Sequence, residues 1–383
     1  MGMKQILVMM AAVVLLGCSN DTPETSRAEA QVASRLTPEL DPVSPADEKL
    51  IADANLSANI RTVLEKPQGA HRSAKAEQEK NPPTYTNVKY GEHERNVFDI
   101  WLADSAKLTP LAIYIHGGGF RGGSKETLHL NQSNIGLEFR NQQVLNQLLE
   151  AGISVASINY RYLSVDTPLP ASHHDAKRAL QFIRSKATEW NLDKSRVAAF
   201  GGSAGAQICM WLAFSDDMAK PKDTDPIERE STRLTCVATT GGQTTLGLDF
   251  WQDKIASLLG TETNAISLFP TLDNEKDPQK ARIARWGAKT MEQANKRAAR
   301  YSALSLVSKD DPPIFMSYGM PPTAKPPTDP GRISGWLTHH VNLGIALKER
   351  SDILKHEAHL KYPRAKIKYQ SQISFFLDKL LKK

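Results

Sequence analysis

The spacing of apolar and polar positions changes several times along this chain. Thr84 to Ser105 alternates around Gly91, which predicts an opening antiparallel pair of strands. Leu111 to Ile115 is continuously apolar, the pattern of a strand buried on both faces of a parallel sheet. Leu137 to Ala151 has helical spacing and is closed by Gly152, and Ile153 to Tyr160 reads as the next strand. Ser172-His173-His174-Asp175 has a capping-box signature, which predicts a helix from Ser172 with the apolar stripe Ala176, Leu180, Ile183, Ala187 and Trp190. Arg196 to Phe200 and Leu234 to Thr240 are further strands. Pro313 to Tyr318 and Glu357 to Tyr362 are the last two, with a helix over Asn342 to Arg350 between them. Gln372 to Leu381 closes the chain as an amphipathic helix.

Strands alternating with helices imply an α/β fold: a mostly parallel central sheet flanked by helices, with ligands at the carboxyl ends of its strands. One stretch interrupts the alternation. Asp216 to Ser308 holds one strand and then a long, polar, partly helical insertion before the late strands, carrying Trp251, Phe269 and Trp286. Such an insertion either caps the site and shapes its pocket or packs as a helical excursion without substrate contact.

The amino terminus has its own pattern. Lys4 precedes a wholly apolar run, Ile6 to Leu16, followed by Gly17-Cys18-Ser19. The run is short for a span of roughly 30 Å of hydrocarbon and reads as an export signal. Leu15-Leu16-Gly17-Cys18 has the form of a bacterial lipobox, with Cys18 as the lipidated first residue of the mature protein. An ordinary signal peptide containing a cysteine is the alternative. Residues 19–83 are rich in Ser, Pro, Ala and charge and read as a flexible tether, with helical spacing over Glu48 to Leu64. The expected divisions are therefore a signal segment over 1–18, a tether over 19–83 and one α/β domain over 84–383. The expected product is a water-facing protein of a bacterial cell envelope, held to the membrane by lipid at Cys18.

Two glycine-rich stretches fall at strand ends, where the fold puts its ligands. Gly201-Gly202-Ser203-Ala204-Gly205 lies between an apolar run and a helical one. Strand, G-x-S-x-G, helix is a nucleophile elbow: the turn lifts the serine hydroxyl clear of the sheet above a helix N-terminus. His116-Gly117-Gly118-Gly119-Phe120 follows the central strand. Bare backbone N–H groups in such a loop can meet a developing oxyanion, and losing one such donor typically costs about a hundredfold or more in rate. HGGG upstream of G-x-S-x-G is the pairing of lipases and esterases.

From about Thr84 onward the chain resembles α/β-hydrolases of the hormone-sensitive-lipase-like and bacterial feruloyl-esterase-like carboxylesterase group. The resemblance rests on His116 to Phe120, His174 to Arg184, Gly201 to Gly205, and Asp311-Pro312-Pro313. It implies an α/β-hydrolase fold and carboxylic-ester hydrolysis, with Ser203 as nucleophile and the N–H groups of Gly118, Gly119 and Ala204 as oxyanion hole.

The rest of a Ser–acid–His set departs from the family pattern. The family's acid follows the strand that is here Pro313 to Tyr318, where the chain reads Gly319-Met320-Pro321-Pro322-Thr323. Asp310 and Asp311 precede that strand, roughly 20 Å from its far end at ~3.3 Å per residue. Asp329, in the proline-rich stretch beyond it, is the acid that topology favours. The family's histidine follows the last strand, where Arg364 to Lys368 contains none. His339 or His340, on the same side of the sheet as Asp329, is the preferred base, His339 first; His356 or His359 is the alternative. A chain with no working base, binding a ligand or partner without catalysis, remains open.

Composition adds limits. The 383 residues leave roughly 300 after leader and tether, which suits one large α/β domain. Net charge is +6 with the basic residues scattered, so there is no nucleic-acid footprint. Cys209 and Cys236 are expected as buried free thiols rather than a disulfide. No metal spacing and no cofactor motif are present; the expected ligand is a small-molecule or carbohydrate-linked ester.

Overall fold

The computed structural model describes residues 81–129, 137–260, 263–268 and 275–382. The export segment with Cys18, the proposed helix at 48–64 and Phe269 lie outside the described residues. Among the described residues eight strands form one sheet in the order β1-β2-β4-β3-β5-β6-β7-β8. The ranges are β1 Tyr85–Lys89, β2 Val97–Trp101, β3 Thr109–Ile115, β4 Ser154–Ile158, β5 Leu192–Gly202, β6 Cys236–Thr240, β7 Ile314–Ser317 and β8 Ala358–Lys361. β1 and β2 pair antiparallel, as does β2 with β4, and every later pairing is parallel. This is the α/β-hydrolase arrangement.

The helices follow from the same alternation. They are α1 Leu137–Glu150, α2 Pro170–Ser185, α3 Ala204–Phe214, α4 Leu248–Lys254, α5 Pro278–Arg285, α6 Met291–Arg300, α7 Ala303–Leu306, α8 Pro330–Thr338, α9 Asn342–Leu354 and α10 Gln372–Phe376. All seven residues of β3 are buried, as a central parallel strand requires. All eleven residues of α3 are buried too, so this helix is apolar around its whole circumference. Ile208, Met210 and Phe214 on it are each 3% exposed or less and contribute about 1.5–3 kcal/mol apiece by burial. Cys209 and Cys236 are buried free thiols, Cys209 in that core and Cys236 in a separate apolar cluster with Phe200 and Phe315.

Three local expectations need correction. Helix α2 starts at Pro170 rather than Ser172, with Leu169 as N-cap and no side-chain cap. The hydroxyl of Ser172 instead donates to the Arg161 carbonyl, and Asp175 receives the Arg161 guanidinium, so the supposed capping box is spent on a neighbouring loop. The closing helix loses its α-helical register at Phe376 and continues as a π-helical turn over Leu377–Leu381. Helix α8 has no counterpart in the hydrophobic pattern, although Asp329-Pro330 is a helix start: an N-cap acid followed by proline at the first helical position.

The register aligns the carboxyl ends. Ile115 pairs with Gly201, Gly202 with Thr240, and Thr240 with Ser317. The segments starting at His116, Ser203, Gly241 and Tyr318 therefore leave the sheet along one edge.

Candidate active site

Ser203 sits at the tip of the β5–α3 turn with φ 52° and ψ −121°. A side chain at positive φ outside glycine is strained and is held only where the surroundings fix it. Here the Ser203 N–H donates to the Thr240 carbonyl at 2.9 Å, and the Ser203 carbonyl takes the Gln207 N–H. The turn closes because Gly205 lets α3 ride against β3: a Cβ on Gly205 would lie 2.0 Å from the Ile115 carbonyl oxygen. Ala204 is the first residue of α3, so its N–H is among those a helix start leaves without a helical acceptor.

The loop after β3 folds over this turn. Gly118 and Gly119 have φ of +102° and +62°. The Gly118 carbonyl accepts the N–H groups of Arg121 and Gly122, closing the loop on itself. A Cβ on Gly117 would stand 3.4 Å from Ser203 Cβ, which places the loop directly beside the serine. Its outer side is tied down. Tyr160 donates its hydroxyl to the carbonyls of His116 (2.9 Å) and Gly117 (3.3 Å), and its ring stacks on the His116 imidazole at 4.2 Å. Arg95 bonds the Tyr160 and Gly123 carbonyls and covers the Tyr162 ring at 3.6 Å. Burial pushes the His116 imidazole down to about 4, so it stays neutral and shapes the loop.

His339 is the histidine that meets the serine. Its Nε2 lies 3.0 Å from Ser203 Oγ, while its Nδ1 lies 2.9 Å from the Gly335 carbonyl, four residues back along α8. A carbonyl can only accept, so Nδ1 carries the proton and Nε2 presents a lone pair to the serine hydroxyl. Burial lowers the pKa of His339 from its ordinary value, with the Gly335 hydrogen bond opposing that in part. The ring also rests on Gly241, which has φ +56°; a Cβ there would come 3.1 Å from His339 Cδ2.

Asp329 does not reach this histidine. It is the N-cap of α8, its carboxylate accepting the Gly331 N–H at 2.9 Å, whereas His339 follows the other end of the same helix. The nine residues between them span ~13 Å at 1.5 Å per residue. Among the described residues no carboxylate bonds His339, and the main-chain carbonyl of Gly335 takes the place expected for an acid.

The remaining candidates lie elsewhere. His340 is fully buried with its Nδ1 accepting the Asn342 N–H. His356 is buried between Ser351 Oγ and the Pro312 carbonyl, at the opposite end of β7 from the elbow. His359 lies on β8 and bonds Glu357. Asp311 accepts the N–H and hydroxyl of Ser308, in keeping with a turn at strand entry. Trp251 and Trp286 of the insertion are 2% and 0% exposed and belong to the main core, as a packed excursion would place them. Gly335, Gly241 and Tyr160 were not singled out in the sequence. Their parts are played by main-chain atoms and by a hydroxyl reaching back across the sheet edge, and neither leaves a side-chain motif.

The chain is similar to known ester hydrolases. The chain is 29% identical over 152 residues to the probable carboxylic ester hydrolase LipM of Mycobacterium tuberculosis, covering 39% of this chain and 32% of the relative. It is 33% identical over 124 residues to probable carboxylesterase 6 of Arabidopsis thaliana, covering 31% and 33% respectively. The matches thus span about a third of the length of these curated relatives. In three dimensions it is similar to a truncated carbohydrate esterase from gut microbiota, with TM-score 0.52 and 19% identity over 78% of this chain and 96% of that one. The BD-FAE family model matches residues 98–329, more than half of the sequence, and the chain belongs to that family.

Proposed function

We propose that this protein hydrolyses carboxylic esters through an acyl-enzyme on Ser203, with His339 as general base and acid. The observation that carries this reading is the 3.0 Å approach of His339 Nε2 to Ser203 Oγ, with the opposite ring nitrogen committed as donor to Gly335. As Ser203 Oγ attacks the ester carbonyl carbon, its proton passes to Nε2. The carbonyl oxygen gains the negative charge, and the N–H groups of Gly118, Gly119 and Ala204 receive it. Collapse of the tetrahedral intermediate breaks the bond to the alcohol oxygen, which takes the proton from Nε2. Water then repeats the sequence and releases the acid. The imidazolium formed midway is stabilised by the Gly335 carbonyl dipole instead of a carboxylate, so the set is a dyad held by main chain.

The relatives named as carboxylic ester hydrolases support the bond type, and esters of small or carbohydrate-linked acids are the substrate class. Lipid attachment at Cys18 would hold the enzyme on a bacterial envelope facing water. The test is fluorophosphonate labelling and p-nitrophenyl ester turnover by the soluble part without the leader, beside Ser203→Ala. Labelling and turnover that both vanish in the variant support the reading. A folded wild-type chain that does neither overturns it and leaves a ligand-binding role.

A further inference from the structure

We infer that Gln243 is a positioning residue for His339. This rests on the reading that His339 is the base for Ser203. Gln243 is 7% exposed and lies just past the end of β6. Its Nε2 donates two hydrogen bonds, at 3.0 Å to the Gly241 carbonyl and at 2.8 Å to the Thr338 carbonyl. Thr338 is the last residue of α8 and immediately precedes His339, and its carbonyl is one that a helix end leaves without a helical donor. One amide group therefore clamps the end of α8 to the segment that carries Gly241, on which the His339 ring rests. The same segment is fixed to the sheet, because the Gly241 N–H donates to the Ser317 carbonyl at 2.8 Å.

The need for such a clamp follows because no carboxylate among the described residues bonds His339. In an acid-bearing set, the acid orients the imidazole and ties it to a strand end. Here Gly335 fixes the tautomer and rotation of the ring, but Gly335 is on the same helix as His339, so that bond moves with the helix. It cannot set the distance to Ser203. Gln243 links the helix to the sheet edge from which Ser203 also projects, and so sets that distance.

The experiment is steady-state kinetics on a p-nitrophenyl ester for wild type, Ser203→Ala, Gln243→Ala and Gln243→Glu, each with a melting curve. Wild type that turns over and Ser203→Ala that does not establish the underlying reading; without that difference the reading itself fails, whatever Gln243 does. Given it, Gln243→Ala is expected to lower kcat by about 10–100-fold with KM changed less than about twofold, since ~1 Å of misplacement costs on that order. Gln243→Glu keeps the shape and is the second handle where the alanine variant does not fold. As a carboxylate it has no donor for the two carbonyls; protonated, it has one. Its kcat relative to wild type should therefore rise as pH is lowered from about 8 to about 5, towards the carboxyl range. A lowered melting temperature with kcat unchanged, a rise in KM in place of the fall in kcat, or a variant-to-wild-type ratio flat with pH each overturns the inference.

Discussion

Asp329 and His339 flank opposite ends of one helix, and that single relationship separates the carboxylate offered by chain order from the base it was expected to serve. The Asp329 carboxylate accepts from Gly331 at the start of α8, and the His339 imidazole donates to Gly335 near its end. Asp329→Ala should therefore remove a cap and leave chemistry intact. The expected stability loss is about 0.5–2 kcal/mol, with kcat within about threefold of wild type. Thermal melting and ester turnover on the same sample check this; a fall in kcat of a hundredfold or more would put Asp329 back in the catalytic set.

The neighbouring histidines should separate cleanly. His339 Nε2 faces Ser203, whereas His340 is fully buried against Trp336, with ring centroids 4.8 Å apart. His339→Ala is expected to lower kcat by a factor on the order of 10⁴ or more, as when a serine loses its base, with little change in the melting curve. His340→Ala opens a space in the packing and should act mainly on stability. Parallel kinetics and melts of the two variants distinguish them, and the reverse pattern would transfer the role of base to His340.

The pH profile should carry the signature of a base that no carboxylate among the described residues bonds. Only neutral His339 can accept the serine proton, so activity falls as pH drops through its pKa. Burial lowers that pKa from the ordinary value, and among the described residues no anionic partner raises it. The acid limb of kcat/KM should therefore have its midpoint below about 6.5, and activity should persist into mildly acidic buffer. A midpoint near or above 7 would mean that a carboxylate does reach the ring.

What was legible in the sequence divides by mechanism. Continuous apolar runs give buried parallel strands, and β3 and β5 lie where Leu111 to Ile115 and Arg196 to Phe200 indicated. Ser203 and the HGGG loop are local motifs, because a strained turn needs particular residues next to one another. His339 was reachable by topology, since the side of the sheet on which a loop emerges follows from strand order. Asp329 misled for a physical reason. An Asp before Pro is also a helix N-cap, and the helix it starts carries the acid away from the ring that the same helix delivers. Gly335 had no signature because its contribution is a carbonyl, which every residue has. Gly241 and Gln243 gained meaning only once β6 and α8 were side by side.

Tyr160 offers a test of the proposed oxyanion role of the His116–Phe120 loop that leaves Ser203 and His339 untouched. Its ring stacks on His116, and its hydroxyl donates to the His116 and Gly117 carbonyls, the two residues that lead into Gly118 and Gly119. Burial pushes the Tyr160 pKa far up, so the hydroxyl remains a donor at any assay pH. Tyr160→Phe keeps the stack and removes the donor, leaving the His116 and Gly117 carbonyls without that partner. Loss of one partner of a buried hydrogen bond costs about 1–3 kcal/mol. Part of that cost should be relieved by a shift of the loop, which carries the N–H groups of Gly118 and Gly119 off the oxyanion position. The expected outcome is a fall in kcat of roughly tenfold, with fluorophosphonate labelling slowed to a similar degree and KM little changed, because those donors act on charge that develops after binding. A variant that melts lower yet labels and turns over at the wild-type rate would show that the loop holds its shape without the hydroxyl. Its positioning would then rest on the Gly118 carbonyl bonds and on Arg95.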